Sequence, residues 1–372
     1  MNFILLGFFT LSLHASEINQ SSQLKSFIKK VKQTDLMTTV RDFVAASRPS
    51  RMVGKAGHLK AREYLINKIK ELDPLKSGTI TEQTFLPNVE KGKLFYELDF
   101  RNKIVGTFEP STPEYIKWKN FTEYIVAKVQ DSAKVSGMNI IWEKKAKNSK
   151  ELLIVGAHYD TISHDKDTLK IKEQEEMPGA DYNASGVAMA LNIIKLLAQV
   201  ELEKSVRVVF FDYQGLGFLG SAHFIEELSK EVQKTKIDVN GLINLEMLGH
   251  DSKVFDKNKQ NGNMALYLSR PSQSTHIRDR KLSTFFLNKG IEFTNTVDFQ
   301  IKDNGFDSSD HVRFWEKGFA AITFSQDWED DFNNKNYQTP NDFPETINQD
   351  TYYQSFLFIA GATTAWVMDL QK

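Results

Sequence analysis

The sequence predicts an α/β fold, a three-layer α/β/α sandwich around a mixed, mostly parallel sheet. Three observations carry that prediction. Past residue 138, short apolar runs alternate with segments of helical periodicity. The run LLIVGA at residues 152–157 is apolar from end to end, the pattern of a strand buried on both faces. The chain is 372 residues long and 41% hydrophobic, enough to build one large α/β domain with helices covering both sides of a sheet.

The elements follow in order. Residues 3–13, FILLGFFTLSL, have the length of a signal-peptide core and are too short to span a bilayer. Cleavage after Ala15 would remove residues 1–15 and leave an exported domain over residues 16–372, periplasmic or extracellular. Residues 22–43 place Leu24, Phe27, Ile28 and Val31 at helical spacing, and residues 60–72 repeat the pattern through Ala61, Tyr64, Leu65, Ile69 and Leu72. Between them, residues 48–57 hold Pro49, Gly54 and Gly57 and read as a loop. Residues 85–141 are aromatic-rich and less regular, read as strands plus a local insertion around residues 90–135. Strands are then expected at 138–142, 152–157, 206–211, 241–248, 265–268 and 320–324, and helices at 184–200, 221–232, 281–288 and 352–370. In such a sheet the chemistry lies beyond the strand C-termini.

Composition excludes several functions. There are 47 Lys+Arg against 48 Asp+Glu, a net charge of −1, and no long basic block, so there is no nucleic-acid footprint. With 27 Phe, 11 Tyr and 5 Trp the chain is too apolar for disorder. No apolar run reaches about 18 residues, so no membrane span is expected. Cysteine is absent, so any metal must be held by histidine and carboxylates.

Polar residues collect at the strand ends. His158-Tyr159-Asp160 follows the strand at 152–157 directly, so His158 can face a ligand while Asp160 bonds its other ring nitrogen. A satisfied strand-end histidine has the same spacing. PGADYNASG at 178–186 is a small-residue loop feeding a helix, where Asp181 is a site carboxylate or one of several possible caps. FDYQGLGFLGS at 211–221, NLEMLG at 244–249, Ser309-Asp310-His311 and YQTPND at 337–342 complete the series. In this order the segments resemble the zinc-dependent aminopeptidase family with two co-catalytic metals. That family includes secreted bacterial aminopeptidases, glutamate carboxypeptidase II, glutaminyl cyclases and the transferrin-receptor ectodomain. The resemblance runs over roughly residues 39–370 and includes the segment 51–65.

In that family a His-x-Asp histidine, a bridging Asp, a Glu, an Asp and a late His hold two zinc ions. The resemblance implies that His158 is the first histidine, Asp181 the bridging carboxylate and Glu246 the counterpart of the later aspartate. One zinc would then keep His158, Asp181 and Glu246, all competent donors. The other site is broken. Gly215 stands at the second glutamate of an FDGEELGLLGS-like segment, and Gln338 stands at the late histidine of a YHTPxD-like one. Gln214 occupies the general-base position, and an amide has no proton-accepting state near neutral pH, a loss of about 10²–10⁴-fold. The expectation is zinc, at most one ion. Glu173, Glu175 and Glu176 could supply a substitute base, although a solvated charged loop is the simpler reading. Ser309-Asp310-His311 matches a segment beside the family's active site, which implies a pocket role for Asp310 and His311, against a helix cap and a packed ring. His58, His164, His250 and His276 are read as surface or packing residues.

The family reaction is metal-assisted hydrolysis of N-terminal peptide bonds. The favoured expectation is a pseudo-peptidase, a scaffold that binds a peptide or protein ligand without cleaving it, as the transferrin-receptor ectodomain and nicastrin exemplify within the family. The alternative is an active single-metal aminopeptidase with an atypical base. Glutaminyl cyclase fits badly, because that branch keeps the metal bound by the Glu and late His that are missing here.

Overall fold

The computed structural model describes residues 22–252 and 264–370. The apolar leader expected at residues 1–15 lies outside the described residues.

One sheet has eight strands in the spatial order β1-β2-β4-β3-β5-β8-β6-β7. These are β1 (Thr79–Phe85), β2 (Gly137–Lys144), β3 (Glu151–His158), β4 (Ser205–Phe211), β5 (Asp238–Glu246), β6 (Met264–Tyr267), β7 (Phe299–Lys302) and β8 (Ala321–Gln326). The centre, β4-β3-β5-β8, is parallel throughout. β1 and β2 run antiparallel on one flank, and β6 pairs antiparallel with β8 on the other, carrying β7 parallel to itself.

Alternate residues of the central strands feed two cores, as a period of two requires. Leu153, Val155 and Ala157 of β3 pack with α1 (Gln33–Ala46), α2 (Ala56–Leu72), α5 (Ser185–Leu197), α7 (His276–Phe293) and α9 (Gln349–Val367). Leu152 and Ile154 face the other way, toward α6 (Leu219–Thr235) and the short α8 (His311–Glu316). Every residue of β4 is buried, which is why its sequence is a continuous run rather than an alternation. The expected three layers are therefore present.

Two segments differ from expectation. The helix expected over 22–43 is interrupted after residue 28, and α1 starts afresh where the Lys32 amide donates to the Asp35 carboxylate at 3.1 Å. Residues 85–141 do not supply strands before β2. They form a helical pair, α3 (Val89–Lys103) and α4 (Pro113–Asp131). Asn88 caps α3 by accepting from the Lys91 amide at 3.0 Å. Thr112 caps α4, with Pro113 at its first position. These helices bury only Gly92 on α3 and Ile125 and Val129 on α4. With so little of each helix buried, their aromatic and β-branched content reads as strand. Sequence reasoning also passed over β1, β7 and α8. Among the described residues, no helix is long and apolar enough to cross a membrane.

Candidate functional site

His158 and Glu246 are the last residues of β3 and β5, neighbouring parallel strands that end at the same edge of the sheet. The structure brings them together: His158 Nε2 lies 3.2 Å from Glu246 Oε1, with both side chains buried. The other ring nitrogen, Nδ1, donates to the backbone carbonyl of Asp160 at 3.0 Å. Burial alone would lower the His158 pKa, but the Glu246 carboxylate overrides it and raises the pKa to about 9. Glu246 Oε2 accepts from Ser309 Oγ at 2.7 Å, and Ser309 Oγ in turn accepts from Asn244 Nδ2 at 2.9 Å. Histidine and glutamate thus satisfy one another.

Asp160 acts differently from the sequence expectation. Its carboxylate stands 3.8 Å from Nδ1, so the backbone carbonyl orients the ring instead. The carboxylate oxygens accept from the amides of Gln214 and Gly215 at 2.9 and 3.1 Å and fix the turn after β4.

Asp181 does not join His158 and Glu246. Its Oδ1 accepts from the Gly249 amide at 2.7 Å and its Oδ2 from Asn333 Nδ2 at 3.0 Å. The residue that faces His158 is Tyr182. Its ring centroid is 4.9 Å from the imidazole, and its hydroxyl donates to Gln214 Oε1 at 2.5 Å. Arg51 sets the course of this loop by donating to the carbonyls of Pro178, Gly179 and Tyr182 at 2.7, 2.7 and 3.2 Å. Asp342 holds it from the other side, accepting from the Asp181 and Tyr182 amides at 2.9 Å each. Sequence reasoning missed both Tyr182 and Arg51. The one acidic residue of PGADYNASG drew the assignment, and Arg51 is far away in sequence. The expected set of His158, Asp181 and Glu246 is therefore not assembled. Among the described residues, no group of three histidines and carboxylates is arranged to hold a metal. The donor set here does not fit a zinc held by three protein ligands.

Gln214, Gly215 and Gln338 do come together, with Tyr182, on the wall of one cavity of about 500 Å³. A Cβ at Gly215 would meet Ile162 at 3.1 Å, so the wall is close-packed there. More of the lining comes from α3 and α4. Tyr96 of α3 donates across to the Gly215 carbonyl at 2.8 Å. His164, expected at the surface or in packing, lines the cavity, and burial lowers its pKa to about 4.

The remaining candidates separate cleanly. Glu173 bridges Lys55 and Lys128, Glu175 pairs with Lys172, and Glu176 pairs with Arg48. None of the three lines the cavity, so the solvated-loop reading of that segment stands. Ser309 supports Glu246, while Asp310 and His311 are fully buried and not on the cavity wall. His311 Nε2 donates to the Phe306 carbonyl at 2.6 Å and its ring packs on Trp315. Burial raises the Asp310 pKa to about 7, against the lowering influence of His158 and of the Ser221 hydroxyl. His58 is a packing residue, as expected, and bonds Asp212 at 2.7 Å.

The profile of peptidase family M28 matches residues 139–363. The chain is 29% identical to aminopeptidase YwaD of Bacillus subtilis over 227 residues, covering 59% of this chain and 42% of that one. It is 28% identical over 212 residues to the uncharacterized protein YfbL of Escherichia coli, covering 53% of this chain and 61% of that one. It thus spans less than two thirds of the length of these relatives. Among solved structures, the Legionella pneumophila LapA aminopeptidase superposes with a TM-score of 0.61 at 14% identity, over 93% of this chain and 75% of that one. The glutaminyl cyclase of Porphyromonas gingivalis gives a TM-score of 0.61 at 18% identity, over 90% and 99% of the two chains. At such identities these likenesses speak to the fold.

Proposed function

The chain belongs to peptidase family M28, and from that premise we propose that it is a non-catalytic member, a peptide-binding protein that keeps the family's fold and a cavity at the sheet edge. One observation carries the reading. At the sheet edge the cavity wall presents Tyr182, Gln214, Gly215 and Gln338, none of which is a carboxylate or imidazole, while His158 and Glu246 are spent on each other; the ionisable groups elsewhere on the lining are Asp99, paired with Lys103, and His164, a weak base with its pKa lowered to about 4. Hydrolysis needs a group to take a proton from water and a means of stabilising the developing oxyanion. A neutral amide, a phenol already donating to that amide, and a glycine supply no base. Among the described residues no group of three histidines and carboxylates is arranged to hold a zinc ion, so the stoichiometry is at most one.

The binding half of the proposal is supported by the size of the cavity, which falls in the range of small-molecule and peptide side-chain sites. It is supported also by the printed names of the relatives, aminopeptidase and zinc metalloprotease, whose substrates are peptides. The apolar segment at residues 3–13 supports export to the periplasm or medium, with residues 16–372 as the mature domain.

The test is hydrolysis of aminoacyl-p-nitroanilides by the purified chain with zinc supplied, together with zinc per chain by elemental analysis. The expected result is no turnover above buffer and no more than one zinc. Robust turnover that His158→Ala abolishes would overturn the proposal in favour of an active single-metal aminopeptidase with an atypical base.

A further inference from the structure

The charge on the cavity lining points to the kind of ligand it takes. Resting on the binding reading above, we propose that the cavity binds an aromatic residue that carries a free carboxylate and whose amine is acylated. The body of the cavity is aromatic. Phe95, Trp118 and Phe121 come from the α3–α4 pair, and Phe332 and Tyr337 come from the loop after β8. These rings already pack edge-to-face, with Trp118 on Phe121 at 5.8 Å and Phe332 on Tyr337 at 5.1 Å, the geometry that admits one more ring.

The charges at this lining do not cancel. Asp99 is taken by Lys103 at 2.6 Å, and Lys103 is shared with Asp307 at 2.9 Å. His164 is desolvated and neutral. Lys117 and Lys166 remain, and among the described residues neither ammonium has a carboxylate partner. Lys117 Nζ donates to the Lys166 carbonyl at 2.7 Å. Lys166 Nζ donates to the carbonyls of Asn334 and, at 2.6 Å, Lys335. Carbonyl oxygens orient these two ammonium groups without neutralising them, and each keeps a proton free to donate. The lining thus places two tethered, uncompensated cations beside an aromatic slot.

At the sheet edge a free amine would meet neutral groups, the Asp160 carboxylate behind them being turned to the Gln214 and Gly215 amides. Gln214, Gly215 and Gln338 are neutral, and the Tyr182 hydroxyl is donating to Gln214. A site built to cleave an N-terminal bond must welcome an ammonium group. This lining gives it only Asp99, already paired with Lys103, and offers an anion two partners. Opposite charges about 4 Å apart at a partly solvated site attract strongly enough to change affinity about tenfold.

Two sources share this chemistry, the carboxyl-terminal aromatic residue of a peptide and a free N-acyl amino acid. The experiment is calorimetric titration of the intact chain with N-acetylphenylalanine (anion), N-acetylphenylalaninamide (neutral) and phenylalaninamide (cation), followed in parallel by Trp fluorescence because Trp118 lines the site. The anion is expected to bind at least about tenfold tighter than the cation, with the gap narrowing as salt is raised. In the Lys117→Gln/Lys166→Gln double variant the anion should fall to the level of the neutral amide. N-acetyl-Gly-Gly-Phe with a free carboxylate separates the sources: tighter binding than N-acetylphenylalanine identifies a peptide terminus, weaker binding the free acyl amino acid. Phenylalaninamide binding as tightly as the anion would overturn the inference and leave the binding reading intact. So would failure of all these ligands to bind. Turnover of p-nitroanilides would overturn the binding reading itself, whatever the order of affinities.

Discussion

Asp212 and Asp310 are both fully buried aspartates close to the functional edge of the sheet, and they are held in opposite ways. Asp212 follows β4 and is saturated. It pairs with His58 at 2.7 Å and Arg62 at 2.8 Å, and accepts from the Met138 and Tyr213 amides at 2.9 and 2.8 Å. Burial pushes its pKa up, but His58 and Arg62 outweigh burial and bring it down to about 2. Asp310 lies within the electrostatic reach of His158 and Glu246, and neither of its oxygens meets a donor in good hydrogen-bonding geometry, Ser221 alone acting on it from nearby. Burial raises its pKa to about 7, the nearby carboxylates Glu246 and Asp160 add to the rise, and His158 opposes it. The fold compensates completely the carboxylate that ties α2 to the sheet. It leaves short the carboxylate beside the His158–Glu246 pair. A buried charge without partners is costly, so the contrast separates a structural network from one that no longer has all its partners.

The largest effect should come from breaking the saturated side. Asp212→Ala leaves Arg62 with its head group partly buried and unpaired, and strands the Met138 and Tyr213 amides. The loss should be about 3–5 kcal/mol, read as a lower urea midpoint at pH 7. Asp310→Asn should act in the opposite direction, by a few kcal/mol at most, and only where the aspartate would be ionised. Because its folded pKa is raised above the unfolded value, the native state holds the proton more tightly. Stability is therefore lost as pH climbs from about 4 through about 7. The variant should gain on the parent at pH 8 and match it at pH 4. For Asp212, whose folded pKa is depressed, the contribution is full above about pH 4 and disappears as pH falls through about 2. Unfolding curves at pH 3, 4, 6 and 8 for parent and variants check both signs. Equal behaviour of the two variants across that range would erase the distinction.

The same contrast explains what the sequence could and could not reveal. His158 and Glu246 were legible because each terminates a strand, and the strands announce themselves by continuous apolar runs. Gln214, Gly215 and Gln338 were legible as a set because the resemblance fixed their order, and they share one wall. Asp181 was misplaced for a local physical reason. Neighbouring residues in a loop point to different sides, and the direction is chosen by Arg51 and Asp342, which reach the loop from far along the chain. The helical pair α3–α4 was missed because neither helix buries a continuous apolar stripe. Its aromatic residues serve the cavity instead, a role that leaves no periodic mark.

The smallest effect tests whether the cavity wall lost its chemistry through backbone constraint or through free substitution. Gly215 is not among the glycines with left-handed φ, although Gly217, two residues on, is. A side chain at 215 therefore meets no intrinsic backbone penalty, only Ile162, whose Cγ2 and Cβ would stand 3.1 and 3.2 Å from a new methyl. That overlap can be relieved by a shift of a few tenths of an ångström. Gly215→Ala should cost about 1 kcal/mol, the low end of overpacking penalties, measured as a small drop in the urea midpoint with an unchanged slope. A cost approaching that of Asp212→Ala would mean that the turn after β4 is as rigidly specified at Gly215 as at Asp212. A cost near 1 kcal/mol would mean that the fold tolerates a side chain there. Its absence then belongs, with Gln214 and Gln338, to the part of the molecule where the fold does not dictate the residue.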